Sequence, residues 1–522
     1  MKTFSKLNGP LSSMLLSSVG IGILATAPAC HAAPRDAASY AIEPATGTPV
    51  PPFEFSDADE ALLDEVQRGC FNYLWQHASP HTGMVYDRTS ADLVSVAGVG
   101  FQLSAIPIGI ERGWITREEG RERTELILRS LLGRETNRKF GLFFHFLDPH
   151  GDPHPDAYEH VVSTIDSALL FAGVITASAY FEGDIATLGD ELIEGADWDA
   201  LLYRDAGHPS YRRFVSLGWR ADDKTNPTGS GELLSATWAD AGDEHRLVAF
   251  LGVCAPNEDH RLPPNAYYAL RRMLGTHPAS GDHVWLPYSG ALFTAFFAHC
   301  WIDYAALGTD NPGAHGEPAR ARVNWWENSR RTTLLHRAVC RDNPMGFKTF
   351  GEDAWGLSAC DGPTGYYVSQ IKPNPLPMPD ARVDWDIPPA DHIRTDPVWN
   401  GGVLAPYTAG STVVFEPGPA IAALRHYRSL TDADGEPLLW EDPETGGWGF
   451  FDSYTLDTES GEPWVAHDRV AIDQGPLCLL IENARSGFVW NTFAKHPAVQ
   501  AGMTRLGLER DRDSDAGIES GG

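Results

Sequence analysis

Helical hydrophobic patterns recur along the chain from residue 57 to residue 507, and this feature limits the possible folds more than any other. In the first pattern, Leu63, Val66 and Cys70 fall on one stripe of a helix, and acidic residues stand near its start. Alternating patterns that predict strands are scarce, and we expect only short extended pieces, such as 141–147. The sequence therefore predicts a mainly helical protein with an all-α fold.

No linker divides the helical region 57–507, which contains no Ser/Gly-rich stretch, no charge run and no short internal repeat. All of its helices, about a dozen, must then share one core. An α/α barrel with two concentric rings of helices satisfies this requirement, and so does an irregular solenoid, although a solenoid should show a repeat. The Pro-rich stretch 372–400 contains Trp385 and Trp399, so it fits a functional loop better than a linker.

The two ends of the sequence differ from the helical region. Residues 1–32 have a basic start, an apolar stretch and small residues at a cleavage site, which is the pattern of a secretory signal peptide. Cys30 raises lipoprotein processing as an alternative, but the residues before it match a lipobox poorly. Residues 33–56 predict an extended lead-in and 508–522 a disordered tail. We therefore expect a soluble mature protein, periplasmic or secreted, without a membrane span.

Charge excludes one class of partners. The chain has 40 Lys and Arg residues against 70 Asp and Glu residues, a formal net charge of −30. Phosphate binding needs a positive surface, so a nucleic-acid partner is excluded and anionic membranes are disfavoured. Aromatic residues make up 11% of the chain, including 16 Trp. They are compatible with a surface that stacks on sugar rings, although most aromatic side chains pack in cores.

Motifs of several other enzyme classes are absent from the sequence. It has no GxSxG, no phosphate-binding GxxxxGK[ST], no GxGxxG after a strand and no HExxH. Its seven Cys residues show no CxxC and no zinc spacing, and their positions identify no disulfide pairs. His145, His154 and His160 lie near one another without a trustworthy ligand spacing. We therefore expect no metal and no cofactor.

Acidic residues inside apolar segments give the strongest chemical signal. Asp166 follows Ile165 and precedes an apolar run, and Asp473 stands between two apolar runs. Both are near helix starts, where a carboxylate caps backbone N–H groups, and for one residue alone capping is the better explanation. Several such acids occur on different helices, however. A glycosidase needs two carboxyl groups that converge on one bond, one protonated and one ionised, and this chain supplies candidates for both.

Ordered blocks along the chain carry a family resemblance. They include STIDSALLFAG at 163–173, SGALF at 289–293, GEDAWGLSA at 351–359 and IDQGP at 472–476. Together they resemble the bacterial family of "putative glucoamylase" domains, which includes the endo-β-1,2-glucanases and the central domain of cyclic β-1,2-glucan synthases. The blocks extend over nearly the whole helical region. They are more specific for the superfamily than for the substrate.

The resemblance implies an (α/α)6 barrel in a single catalytic domain, 57–507, with a glycan cleft at one end. It implies an exported endo-β-1,2-glucanase that releases short oligosaccharides, and inversion is the mechanism we expect. The general acid of the family falls on Glu244. The base falls on a late Asp, either Asp473 or Asp452, whereas retaining relatives use a second Glu, which matches Glu352.

The glucanase hypothesis also predicts residues that contact the sugar. The candidates are Asp166, Trp238, Tyr288, Trp355, Asp361 and Tyr366. For Asp166 a sugar hydroxyl and a helix cap are equally good partners, and for each aromatic residue taken singly core packing is the better explanation. The blocks after Phe293 and before Glu244 depart from the family pattern, which leaves the subfamily and the mechanism open.

Two other functions remain open at this stage. A retaining β-1,2-glucan transglycosylase would share the fold and much of the cleft. A periplasmic glycan-binding protein with a decayed site is the alternative without catalysis, and the presence of both Glu244 and Glu352 argues against decay. The expected partner in each case is a β-1,2-glucan, and the sequence does not indicate an oligomeric state.

Overall fold

A computed structural model describes most of the helical region. The described residues are 53–155, 160–208, 210–276, 283–286, 290–369, 371, 374–375 and 400–509. The predicted signal peptide, lead-in residues 33–52, nearly all of the Pro-rich stretch 372–400 and tail residues 510–522 lie outside them, as does Tyr288.

Helices form most of the regular structure, which confirms the prediction of a mainly helical protein. The α-helices are α1 Asp57–Gln76, α2 Val96–Glu111, α3 Arg117–Leu132, α4 Thr164–Phe181, α5 Gly183–Glu194, α6 Asp243–Cys254, α7 Asn265–Tyr268, α8 Tyr304–Leu307, α9 Trp325–Asp342, α10 Pro406–Gly410, α11 Pro417–Ser429, α12 Ala471–Ser486, α13 Phe488–Ala494 and α14 Pro497–Leu506. Local sequence sets several of their starts. Ser56 and Asp59 form a capping box at α1, and the Ser163 hydroxyl accepts a hydrogen bond from the backbone N–H of Asp166 at α4.

Short strands form small antiparallel sheets between the helices in the chain, so the expectation of an all-α fold is too strict. The strands are β1 Val94–Ser95, β2 Arg138–Lys139, β3 Leu142–Phe143, β4 Phe146–Leu147, β5 Val162–Ser163, β6 Gly218–Ala221, β7 Gly231–Leu233, β8 Met273–Thr276, β9 His283–Leu286, β10 Ala359–Gly362, β11 Gly365–Val368, β12 Asn374–Pro375, β13 Trp440–Glu441, β14 Gly449–Phe450, β15 Ser453–Thr455 and β16 Trp464–Ala466. Two sheets have three strands, in the orders β5-β6-β7 and β12-β8-β9, and the other strands pair two by two. In the hairpin β10–β11, Asp361 lies opposite Tyr366.

The core is built around α2 and α4, which pack closely along their lengths. Glycines allow this approach, because a Cβ added to Gly173 would lie 2.1 Å from the carbonyl oxygen of Gly100. Helix α12 packs against α1 and α2, and α6 packs against α4. The spatial order α12, α2, α4, α6 follows from these contacts.

Helix α4 is the one described helix that is long and apolar enough to cross a membrane. Its apolar window is 78% buried inside the structure, against α2, α5 and α6. Its apolar sequence is therefore explained by its place in the core of this fold.

Two segments with helical sequence patterns adopt other structures. The pattern over 290–307 predicts one helix, but the structure has 3-10 turns and only the short α8, because the backbone N–H of Ala298 donates to Asp243 instead of a helical carbonyl. The pattern over 264–275 ends after α7, where Arg271 pairs in parallel with the segment before α6. In both cases a contact far away in sequence takes the hydrogen bonds that a longer helix needs.

Candidate active site

The first turns of the four neighbouring core helices gather at one end of the helical core. Helices α2 and α12 meet there, since a Cβ added to Gly98 would lie 2.6 Å from the Cβ of Ala471. Helices α2 and α4 are joined by His145, whose carbonyl oxygen accepts from the N–H of Val96 (3.1 Å) and whose Nε2 lies 3.3 Å from Asp166 Oδ1. Positive helix N-termini and acidic side chains therefore share this end of the molecule.

Glu244 lies in the first turn of α6 and is half-buried. Its carboxyl group makes no hydrogen bond or ion pair with any residue that the structure describes. Burial raises the pKa of Glu244 to about 8, and the negative charges of Asp166 and Asp243 contribute to the shift. Glu244 is thus a carboxyl group that keeps its proton at neutral pH and still reaches the surface.

A buried network around Asp243 fixes the backbone that carries Glu244. Asp243 accepts from His299 Nδ1 at 2.8 Å and from the N–H of Ala298 at 2.9 Å, and it pairs with Arg246. Burial acts to raise the pKa of Asp243, but Arg246 and His299 outweigh it and hold this pKa below its usual range. Asp243 is therefore a fixed negative charge beside Glu244.

Asp166 is the sequence-predicted acid that the structure brings next to Glu244. It is 5% exposed, and the Ser163 hydroxyl donates to its Oδ2 at 2.5 Å. His145 approaches its other oxygen. Asp166 therefore contacts the cap of its own helix and also acts on the titration of Glu244.

Trp238 lies against His245, the residue that follows Glu244 in α6. The indole N–H of Trp238 donates to Thr164 Oγ1 at 2.7 Å, and the Trp238 ring centroid lies 4.8 Å from that of His245. The N–H of Asp240 donates to His245 Nδ1 at 3.0 Å, so the ring hydrogen is on Nε2. Burial lowers the pKa of His245 to about 4, so the ring is neutral at physiological pH. Trp238 is half-buried, as a side chain that both packs and meets a ligand would be.

A second group of acids joins the late sequence blocks. Asp452 lies between β14 and β15, and its Oδ2 accepts from the N–H of Asp361 in β10 at 2.8 Å. Asp473 lies in the first turn of α12. Asp452 and Asp473 are 2% and 1% exposed. Burial raises the pKa of Asp452 to about 7 and that of Asp473 well above its usual range, and the nearby carboxylates raise both further.

Arg88 binds acidic residues at the half-buried edge of this second group of acids. Its guanidinium NH1 lies 3.2 and 3.1 Å from the two oxygens of Asp361, its Nε lies 3.2 Å from Asp87, and Asp468 is 3.7 Å away. The guanidinium also lies 5.9 Å from the ring centroid of half-buried Tyr366. Asp361 and Tyr366, both predicted to contact sugar, therefore meet at one cation.

Two predicted residues lie away from both groups of acids. The side chain of Glu352 is 60% exposed and pairs with Arg337 at 2.9 Å, so it does not join the buried acids. Trp355 is fully buried, and its backbone exchanges hydrogen bonds with the hydroxyl of Tyr427. It packs the core and presents no surface to a ligand, which corrects its assignment to sugar contact.

Sequence reasoning missed Arg88, His145 and His245. Arg88 stands in a loop without any periodic pattern, so no sequence signal identified it. His145 was visible in the sequence, but only the fold places it against Asp166. His245 directly follows Glu244, and that adjacency was a usable signal.

Residues 237–497 match the family model described as Glycoamylase, "Putative glucoamylase". This match covers half of the chain and includes Glu244, Asp361, Asp452 and Asp473. The chain belongs to this family. The resemblance that the ordered blocks predict is thereby confirmed.

Relatives of this glucoamylase-family chain include a Parabacteroides distasonis protein named "Exo beta-1,2-glucooligosaccharide sophorohydrolase (non-reducing end)". The two are 26% identical over 477 residues, which are 86% of this chain and 58% of that protein. The chain thus spans little more than half the length of that relative.

Two solved structures are similar to this family member over most of its length. One is described as a "putative glucoamylase" from Bacteroides caccae, with 27% identity and a TM-score of 0.67, and the match covers 87% of this chain and 100% of that one. The other is an endo-β-1,2-glucanase from Chitinophaga pinensis in complex with sophorotriose and glucose, with 22% identity and a TM-score of 0.66 over 87% and 98% of the two chains. The likeness to the second establishes a common fold.

Proposed function

We propose that this chain is a glycoside hydrolase that cleaves β-1,2-linked glucans by inversion. The observation that carries the proposal is Glu244, a half-buried carboxyl group whose pKa is raised to about 8 at the end where the acidic groups gather. A general acid must be protonated at working pH and must reach the glycosidic oxygen, and burial beside fixed negative charges provides the first condition. The linkage comes from the sophorohydrolase relative.

Glu244 donates its proton to the glycosidic oxygen as the bond from that oxygen to the anomeric carbon breaks. A water molecule attacks the anomeric carbon from the opposite face, and its proton passes to a late carboxylate, either Asp452 or Asp473. The configuration of the anomeric carbon inverts. The two late acids lie on other elements than Glu244, since Asp452 follows β14 and Asp473 stands in the first turn of α12. Inverting enzymes hold the pair roughly 6.5–9.5 Å apart, against about 5 Å in retaining enzymes.

The retaining alternative through Glu352 has no support from the geometry. Glu352 is exposed and paired with Arg337, which favours a surface ion pair over a nucleophile. This observation favours hydrolysis over the transglycosylase hypothesis.

We place the sugar against Trp238 and against the cluster that Arg88 forms with Asp361 and Tyr366. Trp238 is held by its hydrogen bond to Thr164, so a sugar face can stack on a ring whose orientation is fixed. Asp361 and Tyr366 are held by Arg88, on the side of the late acids. The substrate would then lie between Glu244 and those acids.

The position of cleavage has two candidates. Endo cleavage is the expectation from the sequence blocks, whereas the sophorohydrolase relative is named as an exo enzyme acting at the non-reducing end. The product pattern distinguishes them, because an endo enzyme gives a range of short oligosaccharides from the start and an exo enzyme gives sophorose alone.

We also propose that residues 57–507 form one domain whose helices close into an (α/α)6 barrel, and that residues 1–32 direct export to the periplasm or beyond. The neighbour order α12, α2, α4, α6 and the common end of their first turns support the barrel. N-terminal sequencing of the protein recovered from the periplasm tests the signal peptide, and a start at residue 33 is the expected result.

The proposed activity is tested with linear β-1,2-glucan, laminarin and soluble starch, each incubated with wild-type protein and with Glu244→Gln. We expect products from the β-1,2-glucan only, a newly formed α-anomer by NMR, and a loss of activity in the variant. Glucan binding by the variant serves as the control for folding. Products from another glucan, or a β-anomer as the first product, would overturn the linkage or the inversion respectively.

A further inference from the structure

Asp452 and Asp473 each have a buried carboxyl oxygen without a donor. These atoms are Asp452 Oδ1 and Asp473 Oδ2, and neither has a hydrogen-bond partner among the described residues. We propose that the two carboxyl groups hold one proton between them, with Asp473 as the protonated partner that positions an ionised Asp452. The roles that this proton gives the two residues in catalysis rest on the proposed function, whereas the presence of the shared proton does not.

The side chains of Asp452 and Asp473 interact directly with each other. Both are almost completely removed from solvent, at 2% and 1% exposure. Two ionised carboxylates in contact in such a place would repel, and each would leave an acceptor unpaired. One proton between them turns an orphaned acceptor into a donor and satisfies the other, so it removes both penalties.

The surroundings decide which residue keeps the proton. Asp452 Oδ2 accepts the backbone N–H of Asp361 at 2.8 Å, and that hydrogen bond favours the ionised form. The charge of Arg88 favours it as well. Asp473 has no such backbone donor in the described part of the chain. The Tyr407 hydroxyl acts to lower the pKa of Asp473, but burial and the interaction with Asp452 outweigh it and raise that pKa well above its usual range, whereas the same interaction lowers the pKa of Asp452. Asp473 is therefore the donor.

Several elements around this pair contribute a titratable or charged neighbour, and α2, which also packs against α12, contributes none. These neighbours are Arg88 in the loop before β1, Tyr73 on α1, Cys360 and Asp361 on β10, Tyr366 on β11 and Tyr407 on α10. Burial raises the pKa of each tyrosine and of the thiol, so these four groups are neutral at neutral pH. Arg88 and Asp361 bind each other. Burial nevertheless raises the pKa of Asp361, so Asp361 is the one neighbour in this set that can compete for the proton, and the Asp361→Asn control below tests this.

The shared proton gives the two candidate bases different roles. Asp452 accepts a proton from the attacking water while the oxygen of that water bonds to the anomeric carbon. Glu244 protonates the glycosidic oxygen as it leaves. Asp473 keeps its own proton throughout and acts as a positioning residue through its hydrogen bond to Asp452. The amide of asparagine can replace that donor, whereas alanine cannot.

Infrared spectroscopy tests the proton without any substrate. The protein carries aspartate labelled with carbon-13 in the side-chain carboxyl, which separates Asp signals from Glu244. We expect a protonated-Asp carbonyl band at pH 7 that disappears in Asp473→Asn and persists in the control Asp361→Asn, with unchanged circular dichroism. Absence of the band from the wild type, or its persistence in Asp473→Asn, would overturn the proposal.

The pH dependence of kcat/KM tests the roles on β-1,2-glucan. We expect Asp452→Asn to lose activity by about 10²–10⁴-fold at every pH. Asp473→Asn should lose less than about tenfold in kcat/KM, and its activity should fall at acidic pH where that of the wild type does. Asp473→Ala should show this acidic limb at a pH about one unit higher. Equal inactivity of Asp473→Asn and Asp452→Asn, or an unmoved limb in Asp473→Ala, contradicts the assignment. An inactive wild type that still shows the infrared band would refute the proposed function and leave the shared proton standing.

Discussion

Glu244 and Glu352 have the same side chain, and their surroundings give them opposite properties. Glu244 stands in the first turn of α6, where burial and two fixed carboxylates raise its pKa to about 8. Glu352 stands on the surface beside Arg337. The helix start alone would favour an ionised Glu244, because the helix dipole stabilises negative charge there. Burial therefore outweighs the dipole at this position.

The first prediction concerns the alkaline limb of activity. A general acid works only while it is protonated, so kcat/KM on β-1,2-glucan should fall above about pH 8, the pKa of Glu244. Glu244→Gln should lose about 10²–10⁴-fold activity, because its amide has no proton to give. Initial rates between pH 5 and 10 measure both effects. An alkaline limb that begins near pH 6 would rule out Glu244 as the acid.

The second prediction concerns the stability cost of the same residue. In the unfolded chain a Glu ionises at a pKa of about 4.3, whereas folded Glu244 holds its proton to about pH 8. Between these values the unfolded state binds fewer protons, so this group destabilises the fold progressively as pH rises. Glu244→Gln should therefore melt above the wild type by about 1–4 °C at pH 8, and at the wild-type temperature at pH 4.

Glu352→Gln is the matched control for this stability effect, because Glu352 is exposed and its ion pair is weak. Its melting temperature should equal that of the wild type at both pH values. Scanning calorimetry measures these melting temperatures. Equal effects of Glu244→Gln and Glu352→Gln would refute the explanation by burial.

At the scale of elements, the contact between α2 and α4 places the site. The two helices approach so closely that the backbones touch at Gly100 and Gly173, where any Cβ would overlap a carbonyl group. This approach sets the starts of both helices side by side, so that His145 can join Val96 to Asp166. The geometry of the acidic cluster therefore depends on two residues that bear no side chain.

The third prediction follows from that contact. Gly173→Ala would put a Cβ 2.1 Å from the Gly100 carbonyl oxygen, so the helices must separate, and we expect a loss of about 3 kcal/mol in the free energy of unfolding. Gly418→Ala is the control, because Gly418 lies exposed in α11 with nothing within 4 Å of its added Cβ. It should leave stability unchanged or raise it by up to about 0.5 kcal/mol. Urea denaturation of both variants measures the difference, and similar losses in the two would contradict the packing argument.

At the scale of the whole molecule, the extent of the core explains the state of the cysteines. The six cysteines among the described residues are free and buried: Cys70, Cys254, Cys300, Cys340, Cys360 and Cys478. Burial raises the pKa of each thiol, so none is a thiolate at neutral pH. The described fold is thus held together without a disulfide bond.

The fourth prediction is a thiol count. A Cys30→Ser protein should react with a thiol reagent at none of its six cysteines in native buffer, and at all six in denaturant. Added reductant should leave its melting temperature unchanged. Fewer than six reactive thiols in denaturant would mean that a disulfide is present, against the structure.

The sequence by itself determined the helices and the family. Amphipathic stripes and caps are local, so the helical patterns over about 118–134, 326–342 and 417–430 predict α3, α9 and α11 within a few residues of their observed bounds. The ordered blocks were enough to identify the family that residues 237–497 match. The sequence also marked Glu244, Asp452 and Asp473 as chemical candidates.

Only the tertiary structure decided which candidates meet and in which protonation state. Asp361 and Asp452 are joined across 91 positions, and Arg88 reaches Asp361 across 273. No periodic pattern records such distant neighbours. The pKa of a carboxyl group depends on burial and on charges from other elements, so Glu244 became a protonated acid only when the helices packed, while Glu352 remained on the surface beside Arg337.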